Sequence, residues 1–206
     1  MSESGVRAPK RRYARGVASR DEIIVAATSL FSEVGFYETS LRAIAEKVGM
    51  THPGLLHHFA NKDDLLMAVL DYRDRADQKW LEENFTLTEF VSGEAIARLL
   101  ERNMSLPGAI GLFTKLSAEA TNPEHPAHAY FVQRYEWICG IYADGVRQAQ
   151  GAGLFKKSVD PSDTACAFVA LLDGMQLQWL LGGRETQETL TKMARIVDKF
   201  IEPLRA

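Results

Sequence analysis

Apolar side chains recur three and four residues apart along most of this chain, the spacing that places them on one face of an α-helix. Between Arg20 and Val34, the residues Ile23, Ala27, Leu30 and Val34 form one stripe, with Ile24 and Phe31 beside it, and Gly35 ends the segment. After the connector Phe36-Tyr37-Glu38-Thr39, the pattern restarts with Leu41, Ile44, Ala45 and Val48. Gly49 then stops this short helix, because glycine accepts the left-handed backbone of a C-terminal cap. Thr51 is suited to N-cap a second short helix, and Pro53 in its first turn sacrifices no hydrogen bond. Leu55 and Phe59 lie four apart and dock inward, which leaves His52, Gly54, His57 and His58 towards solvent. A helix this short is not a core element in its own right. Two such helices around a tight turn, here residues 40–59, predict a helix-turn-helix whose second member enters the DNA major groove.

The remainder also reads as helix, so the predicted class is all-α. Asn61 caps a longer helix with Asp63 and Asp64 in its first turn, where negative charge suits the helix dipole. Its apolar side is Leu65, Leu66, Val69 and Leu70, and it reaches about Trp80, connecting two domains. Further helices fall near 93–106, 108–120, 126–150, 161–182 and 187–204, separated by Asn122-Pro-Glu-His-Pro126 and Gly151-Ala-Gly153. The expected organisation is a disordered basic arm over 1–19, a DNA-binding domain over 20–72, and a ligand-binding and dimerisation domain over 73–206. The last two helices stand apart. Ala165, Phe168, Leu172, Met175 and Trp179 make one stripe, yet Ala167, Val169, Leu171 and Leu180 fill other faces, and a helix apolar all round must be covered all round. The final helix carries Leu190, Met193, Val197, Phe200 and Leu204. Two readings fit: an intrachain bundle, or a four-helix interface between two copies of the chain, which is the expectation adopted.

Composition narrows the class. The chain has 206 residues, 46% of them hydrophobic and 25% charged, as expected of a globular protein with a substantial core. No apolar run approaches the ~20 residues of a membrane span, and no apolar segment follows the basic N-terminus as in a secretory signal. A cytoplasmic protein without a membrane partner is expected. The net charge of -3 is unevenly spread. Residues 1–62 hold nine Lys/Arg against six Asp/Glu, and residues 63–206 hold fifteen against twenty-one. Arg7, Lys10, Arg11, Arg12, Arg15 and Arg20 lie ahead of or at the first helix, either as a solvated tail or as an arm that reaches DNA. Cys139 and Cys166 sit in apolar patterns and read as reduced core thiols, a redox switch being the alternative.

Catalytic and metal chemistry find little support. His57 and His58 are adjacent and point about 100° apart on a helix, so they cannot chelate together. His125 and His128 share a face, but only Glu124 is near and Pro126 turns the chain between them. No nucleophile motif and no glycine-rich phosphate loop is present, so neither an enzyme nor a cofactor is expected. The helices from 93 to 182 are nonetheless rich in large apolar groups. Leu100, Met104, Phe113, Phe131, Tyr135, Ile138, Tyr142, Leu172, Met175, Gln176 and Trp179 are candidate ligand-lining residues. Such stripes are also how a plain core reads. Polar Gln176 and the Tyr135 and Tyr142 hydroxyls on the same stripes favour a pocket, because a buried polar group needs a partner. A small all-helical ligand carrier or enzyme with an incidental basic end is the competing reading.

On these residues the chain resembles the TetR family of bacterial transcriptional regulators. The likeness is strongest over Arg20–Leu70: Gly35-Phe36, Thr39-Ser-Leu-Arg-Ala-Ile-Ala, Val48-Gly49, Leu55, His58-Phe59 and Asn61-Lys62 in that order. Asn122-Pro-Glu-His-Pro and Leu172-Asp-Gly-Met-Gln-Leu-Gln-Trp-Leu181 resemble one branch of its effector domains. The resemblance implies a homodimer that binds successive major grooves of a palindromic double-stranded operator and responds to a small, largely apolar effector. Repression relieved by the ligand is the default, with activation as the alternative. It also implies that Thr39 and Lys62 meet phosphate, that Arg42, Thr51, His52, Pro53, Gly54 and His57 lie at or near base edges, and that His58 packs at the backbone. Leu56 departs from the family pattern, which often has a phosphate-binding tyrosine there.

Overall fold

Four N-caps set the frame of the chain. The side chains of Ser40, Thr51, Asn61 and Ser92 accept hydrogen bonds from the N–H groups of Ala43, Gly54, Asp64 and Ala95, each satisfying an amide that the helix itself leaves open. The computed structural model describes residues 20–86, 92–106, 108–182 and 186–206. The basic arm expected over 1–19 lies outside these residues; Arg20, the first residue of the first helix, has its guanidinium 4.7 Å from the centre of the Phe59 ring.

The described residues form α1 (Arg20–Val34), α2 (Leu41–Lys47), α3 (His52–Leu56), α4 (Lys62–Asn84), α5 (Gly93–Ser105), α6 (Ala109–Glu119), α7 (His128–Gly151), α8 (Pro161–Gly182) and α9 (Thr186–Ile201), closed by a 3-10 turn over Glu202–Leu204. No strand occurs among them, only an isolated bridge between Phe155 and Arg205. The all-α expectation holds. Helix α4 continues one turn beyond Trp80, to Asn84.

Two apolar cores lie along the molecule. The first joins Ile23, Ile24, Phe31, Ile44, Leu55, Phe59, Leu65, Leu66 and Leu70 of the N-terminal helices to Leu112 and Leu116 of α6 and Phe131 of α7. The second gathers α5, α7, α8 and α9 around Ile96, Leu100, Val146, Phe168, Met175 and Val197. Packing therefore does not divide at residue 72. Helix α6 belongs to the N-terminal core although its sequence falls in the C-terminal half, and α4 runs from one core to the other.

Helices α8 and α9 differ in how their apolar faces are used. Leu190, Met193, Val197 and Ile201 of α9 are buried, with α5 as the principal neighbour of that helix. The stripe expected to face a second copy is thus largely occupied within the chain. Helix α8, in contrast, leaves Leu177, Leu180 and Leu181 exposed, Leu181 at 78%. Its 22 residues, at mean hydropathy 1.3 in an 18-residue window, meet the length and composition of a membrane span. The expectation that no uninterrupted apolar run approaches ~20 residues still stands, because polar positions break the apolar run of this helix. Charged Asp163 and Asp173 interrupt the apolar run along the sequence, but they occupy only two positions of the helix.

Candidate functional site

Two features bear on function: the outer face of α2–α3, and a cavity among α4–α8. Gly49, at φ +69°, makes the turn between these helices, a backbone that L residues with a Cβ adopt only at a cost. Leu55 is fully buried and Phe59 nearly so, which fixes the rotation of α3. The opposite side is left open. Arg42, Thr51, Pro53 and His57 are exposed, and His52, Gly54 and His58 are half-buried. Leu56 is exposed as well, at 39%, so an apolar group stands on the outer face between polar ones. The Thr51 hydroxyl is engaged as the α3 cap.

Two of the residues expected at phosphate have other roles here. Thr39 is only 3% exposed and its hydroxyl donates to the Gly35 carbonyl at 2.7 Å. Neighbouring Ser40, which is exposed, is the residue that caps α2. The Lys62 ammonium donates to the carbonyls of Phe36, Tyr37 and Thr39 at 2.9, 3.3 and 3.0 Å and stands 4.3 Å from the centre of the Phe36 ring. An ammonium has three N–H donors, and all three face the α1–α2 connector. The motif gave Lys62 a place at phosphate. It did not show that the connector has carbonyls in need of donors, because that need arises only once α4 folds back against it.

The cavity, of about 590 Å³, lies among α4, α5, α6, α7 and α8. Of the eleven expected lining residues, Phe113, Phe131, Tyr135, Ile138, Tyr142, Leu172 and Gln176 line it. Leu100 and Met175 are instead buried in the second core, and Met104 and Trp179 pack against that core. Helical periodicity identifies the inward stripe, but the cavity takes one flank of the stripe and the core takes the other. Residues that apolar patterning missed are Arg73, Asp77, Asn103, Arg134 and Asp173. A signal for the first pair was present: Leu66, Leu70, Arg73, Asp77 and Leu81 continue one three-four stripe of α4 through two charged positions.

The polar groups of the cavity are ordered by one another. Arg73 pairs with Asp77 at 3.1 Å, and Arg134 pairs with Asp74 while lying 4.2 Å from the centre of the Phe113 ring. The Tyr135 hydroxyl donates to Asp173 at 2.8 Å. Burial and this hydrogen bond push Tyr135 up to about 12, so it remains a donor. Burial also raises Asp74 and Asp173 above the usual carboxylate range.

Helix α6 forms a wall of the cavity through Ile110, Phe113, Thr114 and Ser117, and its outer side lies on α1. Lys115 donates to the Glu33 carbonyl. At the start of α6, a Cβ on Gly108 would fall 2.4 Å from the Ser32 hydroxyl oxygen, so glycine permits the close approach there. Among the described residues, no group of three or more His, Cys, Asp and Glu side chains is placed to hold a metal ion.

Residues 23–69 match the family model for bacterial regulatory proteins of the tetR family. The uncharacterized HTH-type transcriptional regulator YdgC of Bacillus subtilis is 25% identical over 197 residues, covering 91% of this chain and 93% of its own length. The HTH-type transcriptional repressor Rv3405c of Mycobacterium tuberculosis is 35% identical over 88 residues, or 43% of this chain and 42% of its own. A TetR transcriptional regulator from Chloroflexus aurantiacus superimposes with TM-score 0.75 over 90% of this chain and 95% of that chain, at 16% identity, a likeness of fold.

Proposed function

We propose, for a chain that belongs to the TetR family of bacterial transcriptional regulators, a cytoplasmic homodimeric repressor that binds a palindromic operator and is released by a small, largely apolar effector. The observation that carries this reading is the arrangement of α3. Leu55 locks one side of a helix whose other side offers Pro53, Leu56 and His57 to the outside. Exposed Arg42 on α2 stands ready for the backbone or a base edge, and His52 and His57 supply donors and acceptors for base edges.

Dimerisation follows from α8. An apolar helix with Leu177, Leu180 and Leu181 uncovered needs a partner, and a second copy of the same helix provides one of matching chemistry. Two reading heads then address half-sites one DNA turn, about 34–36 Å, apart. Residues 20–72 act as the reading unit and 73–206 as the sensing and pairing unit, with α6 shared between them. The cavity volume lies within the ~300–1,000 Å³ of small-molecule sites. An effector there presses on α6, which is both cavity wall and support for α1. It shifts the molecule only by its differential affinity for the DNA-bound and free arrangements.

The test is a fluorescence-anisotropy titration of the full chain against DNA from upstream of its own gene, with unrelated DNA as competitor. Retention on the upstream fragment in excess competitor, as two chains per inverted repeat, is the expected result. Binding to both DNAs alike, erased together by salt, would instead point to a helical ligand carrier with an incidental basic end.

A further inference from the structure

One part of the cavity lining holds more hydrogen-bond donors than acceptors. Arg73 and Arg134 line it, Arg102 pairs with Asp77 beside them, and the three side chains are no more than 16% exposed, facing the carboxylates of Asp74 and Asp77. Every carboxylate oxygen is taken. Asp77 accepts from Arg73 Nε at 3.1 Å and from Arg102 Nη1 at 2.7 Å. Asp74 accepts from Arg134 Nη1 and from the Tyr130 hydroxyl. Asn103 Oδ1 accepts from Arg73 Nη2 at 3.1 Å and Arg102 Nη1 at 3.5 Å.

Donors remain. Beyond these bonds and the contact of Arg134 with the Tyr130 hydroxyl, N–H groups of Arg73, Arg134 and Asn103 are left over, and all three side chains line the cavity. The formal charges of the lining balance, Arg73 and Arg134 against Asp77 and Asp173, so the spare capacity of the cavity lies in N–H donors without acceptors rather than in net charge. Burial and the neighbouring Arg102 and Arg134 charges lower Arg73 from its usual value despite Asp77. Asp173, on the cavity wall, accepts the Tyr135 hydroxyl and feels the Arg134 charge, but it takes none of these free donors.

We infer that the effector is an organic acid, with an oxyanion such as a carboxylate received by Arg73, Arg134 and Asn103 and an apolar or aromatic body lying along Phe113, Ile138 and Leu172. A guanidinium fork matches a carboxylate in plane, and such charge-assisted bonds are roughly twice as strong as neutral ones. The inference rests on the reading of this cavity as the effector site.

Three probes of one skeleton separate the possibilities: 4-phenylbutyrate, 4-phenylbutyramide and 4-phenylbutylamine. Each is titrated calorimetrically into the full-length dimer and tested for release of operator DNA. The acid should bind about tenfold or more tightly than the amide, with the amine weakest. Asn103→Asp, which supplies an internal carboxylate to the free donors, should erase the acid's advantage while leaving amide binding intact. Its fold is checked by thermal melting, and the wild-type probe series stands by itself should the variant melt early. The inference is overturned if the amide or amine binds as tightly as the acid, or if none of the three binds at millimolar concentration. A cavity-filling variant, Thr114→Trp, keeps the two levels apart. Amide or amine binding that disappears in Thr114→Trp preserves the effector cavity and removes only the acid, whereas acid binding that survives Thr114→Trp removes the cavity reading itself.

Discussion

The carboxylate of Glu119, at the end of α6, accepts the backbone N–H of Phe36 through both oxygens, at 2.9 and 3.2 Å, across 83 positions of sequence. This bond ties a wall of the cavity to the connector that leads into α2. Gly35 makes it possible: its φ is +86°, and a Cβ there would lie 2.1 Å from a Glu119 oxygen. Glu119→Ala leaves a part-buried N–H unpaired and should cost about 1–3 kcal/mol in urea unfolding. Glu119→Gln, which keeps an acceptor, should recover most of that. In anisotropy titrations the alanine variant should still bind operator yet respond less to effector. An undiminished response would show that the cavity signals by another route.

His125 adds a dependence on pH. Its ring is 2% exposed, edge-on to Phe36 and Tyr37, with Nδ1 accepting the Ala127 N–H at 3.1 Å and Nε2 3.6 Å from Glu119. Burial lowers its proton affinity below the usual histidine value, and the Glu119 charge opposes that only in part. The unfolded chain takes up this proton near pH ~6.5 while the folded chain resists, so the unfolded state holds more protons as pH falls. Stability should therefore be full above pH ~6.5 and decline below it, until the depressed native value is passed. Urea midpoints between about pH 7.5 and 5.5 should fall less steeply for His125→Gln than for the wild type. Parallel profiles would assign the dependence to other groups.

Lys62 and Arg42 should separate in a salt titration. Lys62→Ala removes three hydrogen bonds to the connector and should destabilise the fold by about 1–3 kcal/mol, while the slope of log affinity against log salt stays near that of wild type. Arg42→Ala should do the reverse, leaving the urea midpoint unchanged and reducing the slope by about 1 if the guanidinium meets phosphate. A reduced slope for Lys62→Ala would return that ammonium to the DNA.

Leu181 is open to solvent within its own chain, so Leu181→Asp should change unfolding of the protomer little, by about 0.5 kcal/mol or less. Sedimentation velocity should show the wild type as a dimer and the variant as a single chain, and operator affinity should fall with it. A variant that remains dimeric would shift the interface away from the end of α8.

Periodicity and caps were enough to place the helices because both are local. Thr51, Asn61 and Gly49 act on amides and dihedrals within three or four residues of themselves, and the structure has each where its spacing implies. The outward side of α3 was legible for the same reason, since Leu55 and Phe59 fix its rotation. The cavity was legible in part: Phe113, Tyr135 and Leu172 lie on stripes that point inward, and a stripe is a property of one helix.

What a stripe meets is a property of two helices, and there the amino-acid order falls silent. Leu100 and Met175 entered the core while Ile138 and Gln176 reached the cavity, a difference of a fraction of a turn set by how α5, α7 and α8 cross. The same holds for charge. That Lys62 closes the carbonyls of the α1–α2 connector, and that Arg73 and Arg134 line one cavity with donors to spare, depends on partners up to 60 positions away. Short-range hydrogen bonding and side-chain periodicity made the helices and the reading motif. Long-range packing, which the sequence encodes only collectively, decided which polar groups find partners within the chain and which line the cavity.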